Sequence, residues 1–399
     1  MNIYLIINII GIVVFIGVAF LFSKNRKLIE WKSIGIMILL NLFLAWFLTA
    51  FPIGRAIVNG MAAGFNWLVQ CAYDGIGFAF ASFVAKKQMD MAISALLPIL
   101  LVVPLFDILT YFHILPRIVK GLGWALSKIT GKPKFESFFA VEMMFLGNTE
   151  ALAVSAGQIK EMKPERLLTL SLMSMSCVSA AIVGAYTQLL PGQFVLTAIP
   201  LNIINSIIIT SILNPVVVRK EDDIIVDIDN NERQPFFSFL GDSIIGAGKL
   251  VLIITAMVIS FVALASVIDK LLGLINPHLS LEVMLGVVMT PFSFLLGLPL
   301  GEAFQTAQYM GTKLVTNEFV VMGQIHPIIN TFTPHMRAVL STFLISFANF
   351  STVGMIIGCF KGIVDKDTTN ELSKGVWYML LSGILVSLMS AGLVGLFVW

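Results

Sequence analysis

The chain has 399 residues, 58% of them hydrophobic and 12% charged, with a mean hydropathy of +0.94. A soluble domain carries about twice that share of charge, so a cytosolic globular enzyme is excluded, and a net charge of +2 leaves no basic excess to hold nucleic acid. Three cysteines at 71, 177 and 359, set in apolar stretches, fit neither a disulfide framework nor a cysteine-based metal site.

A helix crossing the hydrocarbon core takes about 20 apolar residues. The first such stretch, residues 1–23, has its basic cluster after it, which marks a span and not a cleaved leader. Residues 33–54 make a second span. The segment 55–87, with Gly and aromatics at amphipathic spacing, reads as an interfacial helix. Residues 91–116 form a third span, interrupted by Asp107. The charge-free run 167–218 would be about 78 Å of helix, so it divides into two spans at Pro191-Gly192. Residues 219–234 read as a solvated cytoplasmic loop, and 250–268, 338–360 and 375–399 complete a set of eight spans. Connections after odd spans hold 19 of the 25 Lys and Arg. Basic residues collect on the cytoplasmic side, so both termini are expected outside.

Two connections are too long and apolar to be loops. Residues 131–166 and 282–337 mix apolar runs with carboxylates and break on Gly and Pro. Each reads as two half-helices around a polar tip, Asn148-Thr149-Glu150 and Thr316-Asn317-Glu318. Such re-entrant backbone is tolerated at membrane depth only when buried in protein or lining a wet cavity. Glu150 is followed 29 residues on by Ser179 in SCVSAAIVGAY, and Glu318 31 residues on by Asn349 in SFANFSTVG. A tip carboxylate followed by a polar, small-residue break thus occurs twice, the construction of a secondary transporter with its site near the midplane.

An intramembrane Glu is costly and functional by default, which singles out Glu150 and Glu318 over the alternative of a tip reaching bulk water. Asn349 serves equally as a substrate ligand or as glue between helices, and Thr352, three residues on, shares its face. Asp107, Glu136, Glu142 and Glu302 read as caps, ion pairs or water-facing groups. His113, His278, His326 and His335 lack metal-binding spacing, so neither metal nor cofactor is expected. Absence of GxxxxGK[ST], GxSxG and HExxH disfavours an ATP-driven pump and a membrane hydrolase.

GNTEALAV (147–154), SCVSAAIVGAY (176–186), ILNPV (212–216), TKLVTNEFV (312–320) and SFANFSTVG (346–354) resemble, in order and spacing, the concentrative nucleoside transporter family. The match runs from Glu136 to the end, about two thirds of the chain. It implies an all-α integral membrane fold: about eight transmembrane helices, two re-entrant hairpins and interfacial helices, arranged as an inverted-repeat transport domain on a trimeric scaffold. The corresponding division is 1–130 as mostly scaffold, 131–218 as first hairpin and following spans, 219–281 as cytoplasmic loop and scaffold span, 282–360 as second hairpin and following span, and 361–399 as last span. By the same resemblance Asn148, Thr149 and Glu150 face the nucleobase. Glu318, Asn349 and Thr352 hold the ribose, whose hydroxyls both donate and accept, while Phe347 and Ile182 line the pocket.

Two departures from the family pattern shape the expected activity. Asn148 stands where Gln is usual, and GNTEALAV is more like the purine-nucleoside branch than the pyrimidine branch. Sodium-driven members place an Asn side chain and a hydroxyl where this chain has Met143 and Cys177, neither of which offers a hard oxygen. The sequence therefore points to a proton-coupled, purine-preferring nucleoside importer in a bacterial plasma membrane, with nucleoside, proton and lipid as partners and Glu150 and Glu318 as coupling carboxylates. A sodium-coupled or pyrimidine-preferring transporter, and a nucleoside-gated channel or sensor, are the alternatives.

Overall fold

The computed structural model describes residues 3–84, 89–219, 221–223 and 234–399. Most of the acidic run expected as a cytoplasmic loop, and Lys86 and Lys87 at the end of the expected interfacial helix, lie outside them. The described residues form helices and no strands. In chain order these are α1 (Ile3–Leu21), α2 (Trp31–Thr49), α3 (Pro52–Ala79), α4 (Ala81–Val84), α5 (Ile99–Tyr111), α6 (Ile114–Thr130), α7 (Lys134–Leu146), α8 (Asn148–Val154), α9 (Ala156–Ile159), α10 (Pro164–Ser174), α11 (Val183–Leu189), α12 (Gly192–Leu213), α13 (Phe236–Ile275), α14 (Leu281–Phe294), α15 (Leu300–Val315), α16 (Glu318–Ile325), α17 (Pro334–Leu344), α18 (Phe350–Ile363), α19 (Lys366–Lys374) and α20 (Val376–Gly395). Proline begins α3, α10 and α17, where its missing N–H costs nothing.

Six helical segments among the described residues are long and apolar enough to cross a bilayer: α1, α2, Ala92–Tyr111, α12, α13 and α20. The third of them opens with a π-helical turn, Ala92–Leu96, and carries Pro104 within α5. The expected spans at 167–190 and 338–360 are helices broken at the expected polar runs. The first is α10, an irregular stretch, a 3-10 turn Ala180–Ile182 and α11; the second is α17, an irregular stretch and α18. The small polar runs Ser176–Ser179 and Ser346–Asn349 are where helical pairing stops.

Burial divides the long helices into two classes. α12 and α20 are almost wholly inside, at 89% and 83% of their apolar stretches, whereas α13 is 6% buried. α12, α17 and α20 pack on one another as the centre, with α1 and α2 around them, and α13 lies on α5. Asparagines stitch this centre. Ser390 Oγ donates to Asn202 Oδ1 (2.6 Å) and accepts from Asn205 Nδ2 (2.9 Å), joining α20 to α12. Asn202 Nδ2 also donates to the Ile345 carbonyl, so the innermost span grips the break after α17.

One expectation about the hairpins is corrected. The segment 282–337 is not two half-helices but three helices followed by the start of α17. α14 and α15 run back on each other through a tight turn at 295–299, where Gly297 (φ +82°) lies 2.6 Å, measured from where a Cβ would sit, from the Tyr4 carbonyl. The re-entrant arms are therefore α15 and α16. Thr352 does lie beside Asn349, in the first turn of the helix that Asn349 caps, and both its N–H and its hydroxyl donate to the Asn349 side chain.

Candidate functional site

The first hairpin turns at Gly147, between α7 and α8. Its φ of +99° suits glycine alone, and a Cβ there would sit 2.9 Å from Glu150 Oε2 and 3.2 Å from Ser179 Cβ. The turn places three polar side chains at the start of α8. Asn148 is buried; its Oδ1 accepts from the Thr149 N–H (2.8 Å) and its Nδ2 donates to the Ser174 carbonyl at the end of α10 (3.2 Å). Thr149 Oγ1 donates to Glu150 Oε2 (2.7 Å), and Glu150 itself is exposed.

The second hairpin turns at Thr316-Asn317, and Asn317 caps α16 by accepting from the Val320 N–H (3.1 Å). Glu318 follows in the first turn, 3% exposed, where the partial positive charge of a helix N-terminus favours a carboxylate. Tyr186 Oη donates to Glu318 Oε1 (3.0 Å) and Asn349 Nδ2 donates to Glu318 Oε2 (3.2 Å). The other end of the Asn349 amide accepts from the Thr352 N–H (2.9 Å), Thr352 Oγ1 (3.0 Å) and Ser351 Oγ (2.8 Å). Three donors on one end and a carboxylate on the other assign the amide orientation.

The expected residues thus fall into two sets. Glu318, Asn349 and Thr352 form one buried network, while Asn148, Thr149 and Glu150 form another at the first tip. No hydrogen bond joins the two sets among the described residues, but α8 packs against α18, so both tips flank the helix that Asn349 caps. Phe347 is half-buried in the break after α17, and its carbonyl accepts from the Asn349 N–H (2.8 Å). Ile182 is buried in the 3-10 turn that follows Ser179, whose hydroxyl donates to the Phe145 carbonyl (3.2 Å).

Breaking a helix inside a membrane strands carbonyls that water cannot reach. Side chains take them up here: Asn148 binds the Ser174 carbonyl, Asn202 that of Ile345 and Lys313 that of Phe343. Tyr186, which donates to Glu318, and Lys313, which binds the break after α17, are not anticipated from sequence, although both stand inside the motif stretches that carry the family resemblance. Of the carboxylates left open, Glu136 pairs bidentately with Arg166 (2.7 and 2.9 Å), Glu142 accepts from Ser155 Oγ (2.9 Å), Asp107 from Ser243 and Glu302 from Thr333 Oγ1 (2.9 Å). At the positions noted for sodium-driven members, Met143 and Cys177 are buried. Ser174 Oγ lies 3.5 Å from Met143 Sδ, and the Ser206 hydroxyl lies beside Cys177.

Two hairpins and two broken helices converging on a buried carboxylate and amide define the core of a multi-pass membrane transporter, not an enzyme. Profiles of the Na+ dependent nucleoside transporter family match residues 10–83 (N-terminus) and 194–395 (C-terminus), and a nucleoside recognition (Gate) profile matches 92–191. The chain belongs to this family of concentrative nucleoside transporters. It is 46% identical to the purine nucleoside transport protein NupG of Bacillus subtilis (strain 168), over 99% of this chain and 100% of that protein. It is 25% identical to the nucleoside permease NupC of Helicobacter pylori, over 98% and 97% of the two chains. The fold matches that of CNTnw in an inward-facing substrate-bound state (TM-score 0.92, 22% identity, covering 100% of this chain and 98% of that one). It matches a doubly substituted CNTnw in an outward-facing state as well (TM-score 0.93, 21% identity, covering 100% and 99%).

Proposed function

We propose that this nucleoside transporter is a proton-coupled, purine-preferring importer of a bacterial plasma membrane. It works as a homotrimer with both termini outside, and its hairpin-bearing domain moves as an elevator. The observation that carries the reading is the buried Glu318–Asn349 pair. The Glu318 carboxylate and the second N–H of Asn349 Nδ2 keep hydrogen-bonding capacity for vicinal ribose hydroxyls, and a site built this way rejects analogues lacking them because its own groups are left unpaired. Asn148, Thr149 and Glu150 then face the base, Ile182 and Phe347 line the pocket, and Thr352 completes the ribose side. Purine preference is supported by the shorter reach of Asn148, which leaves room for a larger base, and by the 46% identity to the purine nucleoside transport protein of Bacillus subtilis.

Proton coupling is supported by Met143 and Cys177, whose sulfurs are poor ligands for a hard cation. Glu150, less committed to the ribose than Glu318, takes a proton outside and releases it inside. The test is uptake of labelled inosine into proteoliposomes with choline in place of sodium. Uptake should follow an inward proton gradient and accumulate nucleoside against its own gradient. Uptake that follows a sodium gradient and ignores pH would overturn the coupling, and equilibration without accumulation would mean a channel.

A further inference from the structure

The second hairpin is rooted where the chain enters α15 from the turn at 295–299 and where it returns into α17. His335, in the first turn of α17 and 6% exposed, sits at that root. Its Nε2 lies 2.9 Å from the carbonyl of Leu296, in the turn that leads into α15, and its Nδ1 lies 2.8 Å from the carbonyl of Val398, in the segment after α20. A carbonyl only accepts, and a neutral imidazole carries a single N–H, so it can bond one of these carbonyls and must turn a lone pair on the other. Only the doubly protonated ring donates to both. The Trp399 ring lies parallel to it with centroids 4.0 Å apart, at an interplanar angle of 13°, which favours a cation over the indole face. The N-terminus of α17 opposes a positive charge there, but a dipole end is weaker than two hydrogen bonds from a charged donor. Gly395 makes the close approach possible, since a Cβ on it would sit 3.1 Å from His335 Cε1.

We propose that His335 is a proton-operated clamp and a positioning residue for the second hairpin. With both nitrogens protonated the ring ties the root of α15 to the segment after α20, and with one proton it lets go of one of them. Both bonds exist on the acid side of this histidine's titration, and one is lost as the pH rises through it. The other end of α15 leads into the tip that carries Glu318, so a loosened root frees the arm that orients that carboxylate. The effect on transport rests on the reading that Glu318 and Asn349 hold the nucleoside. With both termini outside, as proposed above, the compartment sensed is the exterior. This proton regulates the site and is not the one transported.

Among the described residues no ion pair involves the ring. Of the elements around it, α17 also carries Arg337, and α15 carries Glu302, which accepts from Thr333 Oγ1 at the head of α17 (2.9 Å), with Tyr309 and Lys313 further along. α1 brings Tyr4, whose backbone carbonyl lies against Gly297. α16 begins with Glu318 at the tip and ends at His326, which contacts the Leu189 carbonyl (3.1 Å). α12 has no ionisable side chain, and those of α14 and α20, Glu282 and Tyr378, stand at the opposite ends of their helices.

The test is hydrogen–deuterium exchange of the full-length transporter from about pH 5 to pH 8, the range in which an imidazole changes charge. It is read at residues 294–300 and 394–399, corrected for the intrinsic pH dependence of exchange, beside inosine counterflow in proteoliposomes with equal pH on both faces. In the wild type, opening of the root should increase about tenfold or more with rising pH, the scale of one charged hydrogen bond, and counterflow should fall with it. His335→Gln, which has no charge to lose, should exchange at the high-pH rate throughout. His335→Arg, a permanent cation with several donors, should exchange at the low-pH rate throughout, and His326→Gln should keep the wild-type profile. Wild-type exchange at the root that does not vary with pH would overturn the clamp, whether or not the variants fold. So would a His335→Gln profile that rises as the wild type's does, or counterflow that stays level while the root opens. A root that opens as described in a protein with no inosine counterflow at any pH would instead sink the nucleoside reading.

Discussion

The two ends of the Asn349 amide do different things, and substitutions can separate them. Its oxygen caps α18, accepting from the Thr352 N–H and from the Thr352 and Ser351 hydroxyls, while its nitrogen donates to Glu318. Asn349→Ala removes both. Loss of an N-cap costs about 0.5–2 kcal/mol, and loss of a hydrogen bond to a charged partner costs about 1.5–3 kcal/mol. The cap term falls on stability and the Glu318 term on the site, where it converts to roughly 10–150-fold in nucleoside affinity. Asn349→Ser keeps a capping oxygen and loses the reach to Glu318, so it should melt close to the wild type yet bind as poorly as Asn349→Ala. Asn349→Asp keeps the cap and sets a second carboxylate against the first, and should bind worst near neutral pH. The assay pairs thermal unfolding in detergent with inosine binding on the same samples. Wild-type affinity in Asn349→Ala, or affinity that tracks the melting temperature across all three variants, would refute a direct role for the amide nitrogen.

Glu318→Gln should abolish measurable uptake while leaving the protein inserted and its oligomeric state unchanged, as judged by size-exclusion chromatography. Asn148→Gln should shift preference towards pyrimidine nucleosides, read as the ratio of uridine to inosine competition; an unchanged ratio counts against Asn148 as a base-selecting group. Gly147→Ala should cost about 1–3 kcal/mol of backbone strain and push Glu150 away from Thr149, lowering uptake even at temperatures where the protein is folded. Arg166→Met should lower the melting temperature sharply because it leaves Glu136 buried and unpaired, and Arg166→Met/Glu136→Met should recover most of the loss.

The parts of this architecture that could be read from sequence are those whose cause is local. Gly147 can turn a chain where other residues cannot, Asn317 and Asn349 cap the helices that follow them, and uninterrupted apolar runs betray α1, α2, α12 and α20. Lys313 and Tyr186 carry no such local mark. A lysine in the last turn of a helix is an ordinary partner of the helix dipole, and only the arrival of Phe343 and Ser346 from elsewhere gives its buried ammonium a carbonyl and a hydroxyl to bind. The same holds for α14, whose apolar sequence runs smoothly into FLLGLPL. Gly297 and Pro299 signalled a turn there, but the polar tip at Thr316-Asn317 offered a more conspicuous break.

The hairpins and the long helices meet the membrane on different terms. α7 has 13 residues and includes Glu136 and Glu142, α8 has 7, α15 has 16 and includes Glu302 and Lys313, and α16 has 8. A charge at the centre of a segment opposes insertion by roughly 2.5–3.5 kcal/mol, so a translocon testing these segments one at a time would refuse them. The six long segments pass on length and apolarity. The expected order of biogenesis is therefore long helices first and hairpins afterwards, drawn into a polar interior that lipid cannot provide. Part of that interior is Ser387 and Ser390 of α20, which bind Ser346 and the asparagines of α12. The second hairpin meets α20 by way of α17, which packs on both, so its seat is complete once the last long helix is in place.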